Sequence, residues 1–211
     1  MPAASAATSL LRPRLVFAAL ASRIARAWAT PALLVLGLAV AVGLRWAGTR
    51  QGLDALALGA VFGVALVALA GTRPTRPRAR NLVIGMAAGL ALVGLTTLGA
   101  ALAGSNLPPG LGRPAAPFAP WAFVTILVAT GEEALLRGRL FDATRSAGGP
   151  LAAVAATTIA FALLHVPLYG WHVVPLDLGV GLGFAGLRLL TRGIAAPAVA
   201  HAVADLATWW L

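Results

Sequence analysis

Long stretches almost free of charge, with arginines gathered at their ends, constrain this chain more than any other feature. The candidate apolar runs are 32–46, 53–70, 82–103, 121–145, 151–166, 173–190 and 194–211. Most approach the roughly 20 residues that a helix needs to cross a hydrocarbon core. Mean hydropathy is +0.89, and only 10% of residues are charged, where a soluble domain carries about a quarter. The expected fold is therefore an all-α polytopic membrane helix bundle. It has about seven transmembrane helices, six to eight depending on how the run boundaries are drawn.

The formal charge of +10 comes entirely from arginine, since the chain has no Lys. The placement of these arginines at the ends of apolar runs is the signature of membrane topology and argues against a nucleic-acid partner. The Ala- and Arg-rich composition without Lys fits a GC-rich genome, and the expected location is the bacterial cytoplasmic membrane. Cysteine is absent, which excludes disulfides, a thiol nucleophile and a Cys-ligated metal. Residues 1–29 place Arg12, Arg14, Arg23 and Arg26 around a short apolar stretch and read as a basic amphipathic helix on the membrane surface. Residues 30–117 read as accessory transmembrane helices, and 118–211 as a catalytic membrane domain. The loop at 71–81, with four arginines, is expected on the cytoplasmic face. The linker at 104–120 carries only Arg113 and is expected on the opposite face. Small-residue pairs at Gly59/Gly63, Gly85/Gly89 and Gly179/Gly183 predict close helix approaches.

The second half departs from this apolar plan. Glu132, Glu133, Arg137, His165, His201 and Asp205 all fall inside apolar helices. One charge at the bilayer centre costs on the order of 3 kcal/mol, so four would cost about 12 kcal/mol unless paired, neutralised or hydrated. Glu133 and Arg137 stand at i and i+4 in the favourable orientation for an intrahelical ion pair. Glu132 has only Leu135 and Leu136 at those offsets, so its partner must come from another helix. Glu132 and His165 flank the Gly148-Gly149-Pro150 turn at equal distances, and an antiparallel hairpin would set both about 24 Å from it. His201 and Asp205, again i and i+4, share a face of the last helix. Asp142 reads as part of a helix-end charge cluster, Asp177 as a first-turn acid favoured by the helix dipole, and Asp54 and His172 as interfacial.

Taken in order, Glu132-Glu133-Ala-Leu-Leu-Arg137, Phe161-Ala-Leu-Leu-His165 and His201-Ala-Val-Ala-Asp205 resemble the EExxxR, FxxxH and HxxxN motifs of the CPBP family. These intramembrane endopeptidases include type II CAAX prenyl proteases and bacterial Abi or bacteriocin-immunity proteins. The resemblance covers roughly residues 118–211. It implies a protease in which Glu132 is the general base that deprotonates water and His165 helps to hold and polarise it. His201 with residue 205 would stabilise the oxyanion, and Glu133 with Arg137 would support them. Hydrolysis of a peptide needs these parts, an activated water and donors aimed at the developing negative oxygen.

Asp205 stands where the family usually has Asn. An ionised Asp repels an oxyanion, so either the acid is protonated or it accepts from His201 and orients that ring, the favoured alternative. The implied substrate is a peptide or membrane-protein segment presented from the bilayer, CAAX-type or bacteriocin-like, with no cofactor. Two other readings stand beside this one. Glu132, His165 and His201 could form a zinc site with an open position for water, although the HExxH signature is missing. Alternatively, the chain could be a non-catalytic immunity or transport protein whose buried ionisable groups relay protons or bind a peptide. The resemblance implies a site open to the cytosol. The arginine-based topology and the hairpin geometry instead set Glu132 and His165 far from the cytoplasmic turn, and the sequence leaves that conflict standing.

Overall fold

The computed structural model describes residues 4–71, 77–102 and 116–211, with side-chain surroundings from Ala21 onward except at Ala100. Part of the arginine-rich loop (72–76) and most of the linker with Arg113 (103–115) lie outside the described residues. Among the described residues the chain is helical without a strand. It comprises α1 (Ala4–Arg50), α2 (Ala55–Ala70), α3 (Ala79–Leu102), α4 (Phe118–Glu133), a π-helical segment (Ala134–Leu140), α5 (Phe141–Tyr169), a 3₁₀ turn (Trp171–Val173), α6 (Val174–Thr191) and α7 (Ala195–Ala207).

Each of the seven apolar runs overlaps a helix, the last of which stops at Ala207, short of the run's end at 211. Four helical stretches are long and apolar enough to cross a membrane: Ala21–Arg50, Ala79–Gly99, Phe118–Tyr169 and Trp171–Thr191. Ala55–Ala70 and Ala195–Ala207 are apolar but shorter. The stretch Phe118–Tyr169 folds back on itself at Gly149, whose φ of 83° is a backbone state open to glycine at little cost. Pro150 then begins the returning arm with its φ already fixed for a helix. This is the hairpin turn expected at Gly148-Gly149-Pro150. At the amino-terminal end, α1 passes the 29/30 boundary without a backbone break.

Polarity is arranged for lipid. Large apolar side chains point outward on every face, Leu102 and Leu151 being 80% and 81% exposed. In water such a surface would drive association. The interior gathers around the π-helical segment, where Leu135, Leu136 and Leu140 are buried with Leu66 of α2, Phe161 of α5, Phe184 of α6 and Ala200 of α7. Two of the three glycine pairs sit at close approaches. A Cβ at Gly63 would lie 2.8 Å from Leu127 Cγ of α4, and one at Gly89 would lie 2.8 Å from the Ala200 carbonyl of α7. The third pair corrects the sequence expectation, because nothing lies within 4 Å of a Cβ at Gly179 or Gly183. It is Gly181, between them, that meets α5, 3.2 Å from Thr158. The pair's spacing was right, but its helix face is turned away from the neighbour.

The helix ends gather into two groups. One holds the end of α2, the start of α3, residues 138–146, and the α6–α7 turn. There Arg139 Nη1 donates to the Leu69 carbonyl at 3.1 Å and Asn81 Nδ2 to the Thr191 carbonyl at 3.4 Å. The other end is aromatic. Phe118 and Trp121 of α4 pack on Trp209 at ring-centroid distances of 5.1 and 5.0 Å, tying the start of α4 to the residues that follow α7.

Candidate active site

The EExxxR motif spans the change from α-helix to π-helix, with Glu132 and Glu133 ending α4 and Arg137 inside the π-helical segment. A π-turn widens the helix and disturbs its backbone bonding, which is why such segments recur at functional sites. Here α6 takes up the loosened groups. Arg188 Nε donates to the Arg137 carbonyl at 2.7 Å, and Arg137 Nη2 donates to the Gly181 carbonyl at 3.0 Å. Arg188 Nη2 also donates to Asp142 Oδ1 at 2.8 Å, so Asp142 belongs to this helix-end charge cluster.

The expected Glu133–Arg137 ion pair forms at 2.9 Å with both side chains fully buried. The same Glu133 Oε1 accepts from His201 Nδ1 at 3.1 Å, an interhelical bond that sequence spacing had no means of revealing. A chain of contacts therefore runs Arg137–Glu133–His201, and its acceptor fixes which imidazole nitrogen carries the proton. With Nδ1 donating to a carboxylate, Nε2 is left facing Glu132 Oε2 at 3.9 Å and Asp205 Oδ2 at 3.5 Å. The partner that Glu132 lacked on its own helix is therefore His201 of α7. The guanidinium of Arg137 also stacks 4.6 Å from the Phe161 ring centroid, a cation–π contact that aids its burial.

His165 is placed differently from the expectation. Among the described residues no hydrogen bond or ion pair joins it to Glu132. Its ring lies 4.8 Å from Phe161, which also contacts His201 at 5.5 Å, so both imidazoles pack on one phenyl ring. His165 Nδ1 donates to the Phe161 carbonyl at 3.0 Å and stands 3.4 Å from Asp177 Oδ2. Both neighbours are acceptors, so Nδ1 carries the proton and Nε2 is the free nitrogen.

Asp177 does occupy the first turn of α6, as expected, but it also contacts His165. Its Oδ2 and Glu132 Oε2 are both buried without a hydrogen-bond partner. Arg45 of α1 is a second residue that the sequence reading passed over. Its guanidinium lies 4.8 Å over the Phe62 ring. Arginines at the ends of apolar runs are commonplace, so nothing in the sequence singles this one out. Asp54 caps α2 by accepting from Ala57 N at 2.7 Å, and His172 lies exposed in the 3₁₀ turn.

The site thus unites Glu132, Glu133, Arg137, His201 and Asp205 through direct contacts, with His165 and Asp177 paired beside Phe161. Glu132 and His201 are 3% and 5% exposed, whereas the Asp205 side chain is 42% exposed. The cluster therefore opens past Asp205. A surface cavity of about 670 Å³ lies elsewhere, against Gly71, Arg139, Asp142, Ser146, Arg188 and Gly193. Among the described residues no group of three His, Asp or Glu side chains is arranged to hold a metal ion; this includes Glu132, His165 and His201.

A family model described as type II CAAX prenyl endopeptidase, Rce1-like, matches residues 114–207. No curated protein and no solved structure matches the chain. The matched span holds all three motifs and every acid and imidazole of the buried cluster, while α1 to α3 lie outside it. In an all-helical chain with helices fit to cross a bilayer, residues 114–207 are therefore an Rce1-like domain of the CPBP/CAAX protease family.

Proposed function

We propose that this protein is an intramembrane endopeptidase that cleaves peptide bonds with a water activated by Glu132, without a metal. The observation that carries this reading is the buried carboxylate of Glu132, whose partnerless Oε2 faces His201 Nε2 across 3.9 Å. That gap is too long for a direct hydrogen bond, and a water lodged beside it can contact both groups. Glu132 takes a proton from that water as its oxygen attacks the scissile carbonyl, and later returns it to the leaving amine.

His201, held through Nδ1 by Glu133, presents Nε2 to the reacting atoms. As an imidazolium it donates there to the oxyanion of the tetrahedral intermediate, an arrangement effective in a dry site because the donor is already aimed. Glu133 and Arg137 are positioning residues, acting through that imidazole. Asp205 accepts from His201 Nε2 between turnovers and orients the ring. His165, its Nδ1 proton directed at Phe161 and Asp177, keeps Nε2 as a base that can hold the substrate or the water. Peptide segments presented from the bilayer are the substrate class.

The test is Glu132→Gln, close in shape but unable to take a proton. Loss of a general base lowers kcat by about 10²–10⁴-fold, with the purified variant retaining the thermal stability of the parent in detergent. A folded Glu132→Gln variant that still cleaves at the parental rate rejects the assignment, and a purely binding protein would keep its phenotype with this substitution.

A further inference from the structure

The arginines and the site opening lie at opposite ends of the bundle. Arg139, Arg145, Arg188 and Arg192 belong to the end where α2 stops and the α6–α7 turn lies. Arg78 precedes α3 and Arg80 opens it at that same end. The amino-terminal part of α1 adds Arg12, Arg14, Arg23 and Arg26, and it reaches the same end, since a Cβ on Gly148 would lie 2.7 Å from Trp28. Ten of the thirteen arginines among the described residues thereby lie at one end. Arg137 is sealed in the core. Among the described residues only Arg45 and Arg50 remain for the other end, where α1 stops.

The site opens toward that arginine-poor end. Asp205, its exposed edge, precedes the Trp209–Trp210 pair that packs on the start of α4. Asp177 and His165, each 16% exposed in the side chain, stand at the start of α6 and near the end of α5, and Tyr169, 5.8 Å from His165, follows. In the other direction the cluster is closed. Glu133 and Arg137 are 0% exposed, Arg188 bonds across the Arg137 carbonyl, and the cavity beyond Arg139 shares no lining residue with the acids and imidazoles.

Short loops rich in arginine are retained on the cytoplasmic side. We infer that the catalytic cluster opens on the side of the membrane away from the cytoplasm, so that its substrates are peptide segments exposed at the outer leaflet, such as those flanking the spans of membrane-anchored polypeptides, and not chain ends held at the cytosolic surface. The assignment of substrate rests on the protease reading above, while the direction of opening does not.

The chain has no cysteine, so single-cysteine variants of the full protein report orientation directly. Gln51→Cys marks the turn after α1 at the arginine-poor end, and Ser146→Cys the exposed surface beside Arg145. Both are expressed in intact bacterial cells and treated with a membrane-impermeant maleimide, before and after permeabilisation. The inference expects Gln51→Cys to label in intact cells and Ser146→Cys to label only once the membrane is breached. The reverse pattern, or equal labelling of both, overturns it. Should either variant fail to accumulate, Thr49→Cys and Arg145→Cys report the same two ends. Labelling requires no cleavage, so a cleavage-competent Glu132→Gln would reject the protease mechanism and leave this result standing.

Discussion

The two halves of the chain solve the problem of living in lipid in different ways. In the first half, α2 has no ionisable residue and α3 only Arg80 at its start. These helices are seated by shape, with glycines pressed against α4 and α7. The second half buries two carboxylates, a guanidinium and an imidazole within one cluster, where Glu133, Arg137 and His201 are paired with one another. Apolar contacts degrade gradually when altered, because each atom pair contributes little. A buried charge network fails abruptly when one member is removed, because the remaining charge keeps its full desolvation penalty. The domain matched by the family model is the half built on the second principle.

Substitutions in each half test this contrast. The largest effect is expected for Arg137→Met, which strands Glu133 and frees the Gly181 carbonyl. Breaking a buried pair costs about 3–5 kcal/mol, read as a lowered unfolding midpoint in detergent. Adding Glu133→Gln to that variant should recover part of the loss, and no recovery would mean that bulk rather than charge makes Arg137 necessary. Next comes Gly89→Leu in the shape-packed half. Its side chain would meet the backbone of α7 at Ala200, beside His201, and overpacking of this kind costs about 1–3 kcal/mol. Displacement of α7 should slow cleavage as well, since His201 moves with it.

Asp205→Asn, at the mouth of the cluster, is expected to leave the fold intact and reduce kcat while KM holds. An unchanged or faster rate would show that the carboxylate has no required role. The smallest effect belongs to Gly179→Leu, within about 0.5 kcal/mol of the parent in stability, because that face has open space. If it destabilises as much as Gly89→Leu, the helix face assigned to α6 is wrong.

The site was legible in the sequence to differing degrees. Glu133–Arg137 was readable outright, since a four-residue offset is a local geometric fact and survives the change from α- to π-helix. Glu132's need for an interhelical partner followed from the absence of one nearby. That the partner is His201, and that Glu133 holds the same ring from the other side, depends on how α7 lies against α4. Asp177 read as a helix-start acid, which it is; its approach to His165 arises only because α6 lies beside α5. Arg45 was passed over because it sits at the end of an apolar run, where arginines are commonplace.

Composition and periodicity alone determined that this chain is an all-helical membrane protein, since lipid supplies no hydrogen bonds and a backbone within it must satisfy its own. The sequence also showed most of the helical runs, the turn at Gly148-Gly149-Pro150, and which ionisable groups violate the apolar pattern, although α1 runs unbroken from Ala4 to Arg50. Tertiary structure decided which glycines touch a neighbour, which groups each buried imidazole nitrogen faces, and toward which end the buried acids open. Those properties depend on the rotation and depth of one helix against another. Lipid-facing and protein-facing sides are both apolar here, so hydrophobic patterning, which sets such rotations in water, had little to say.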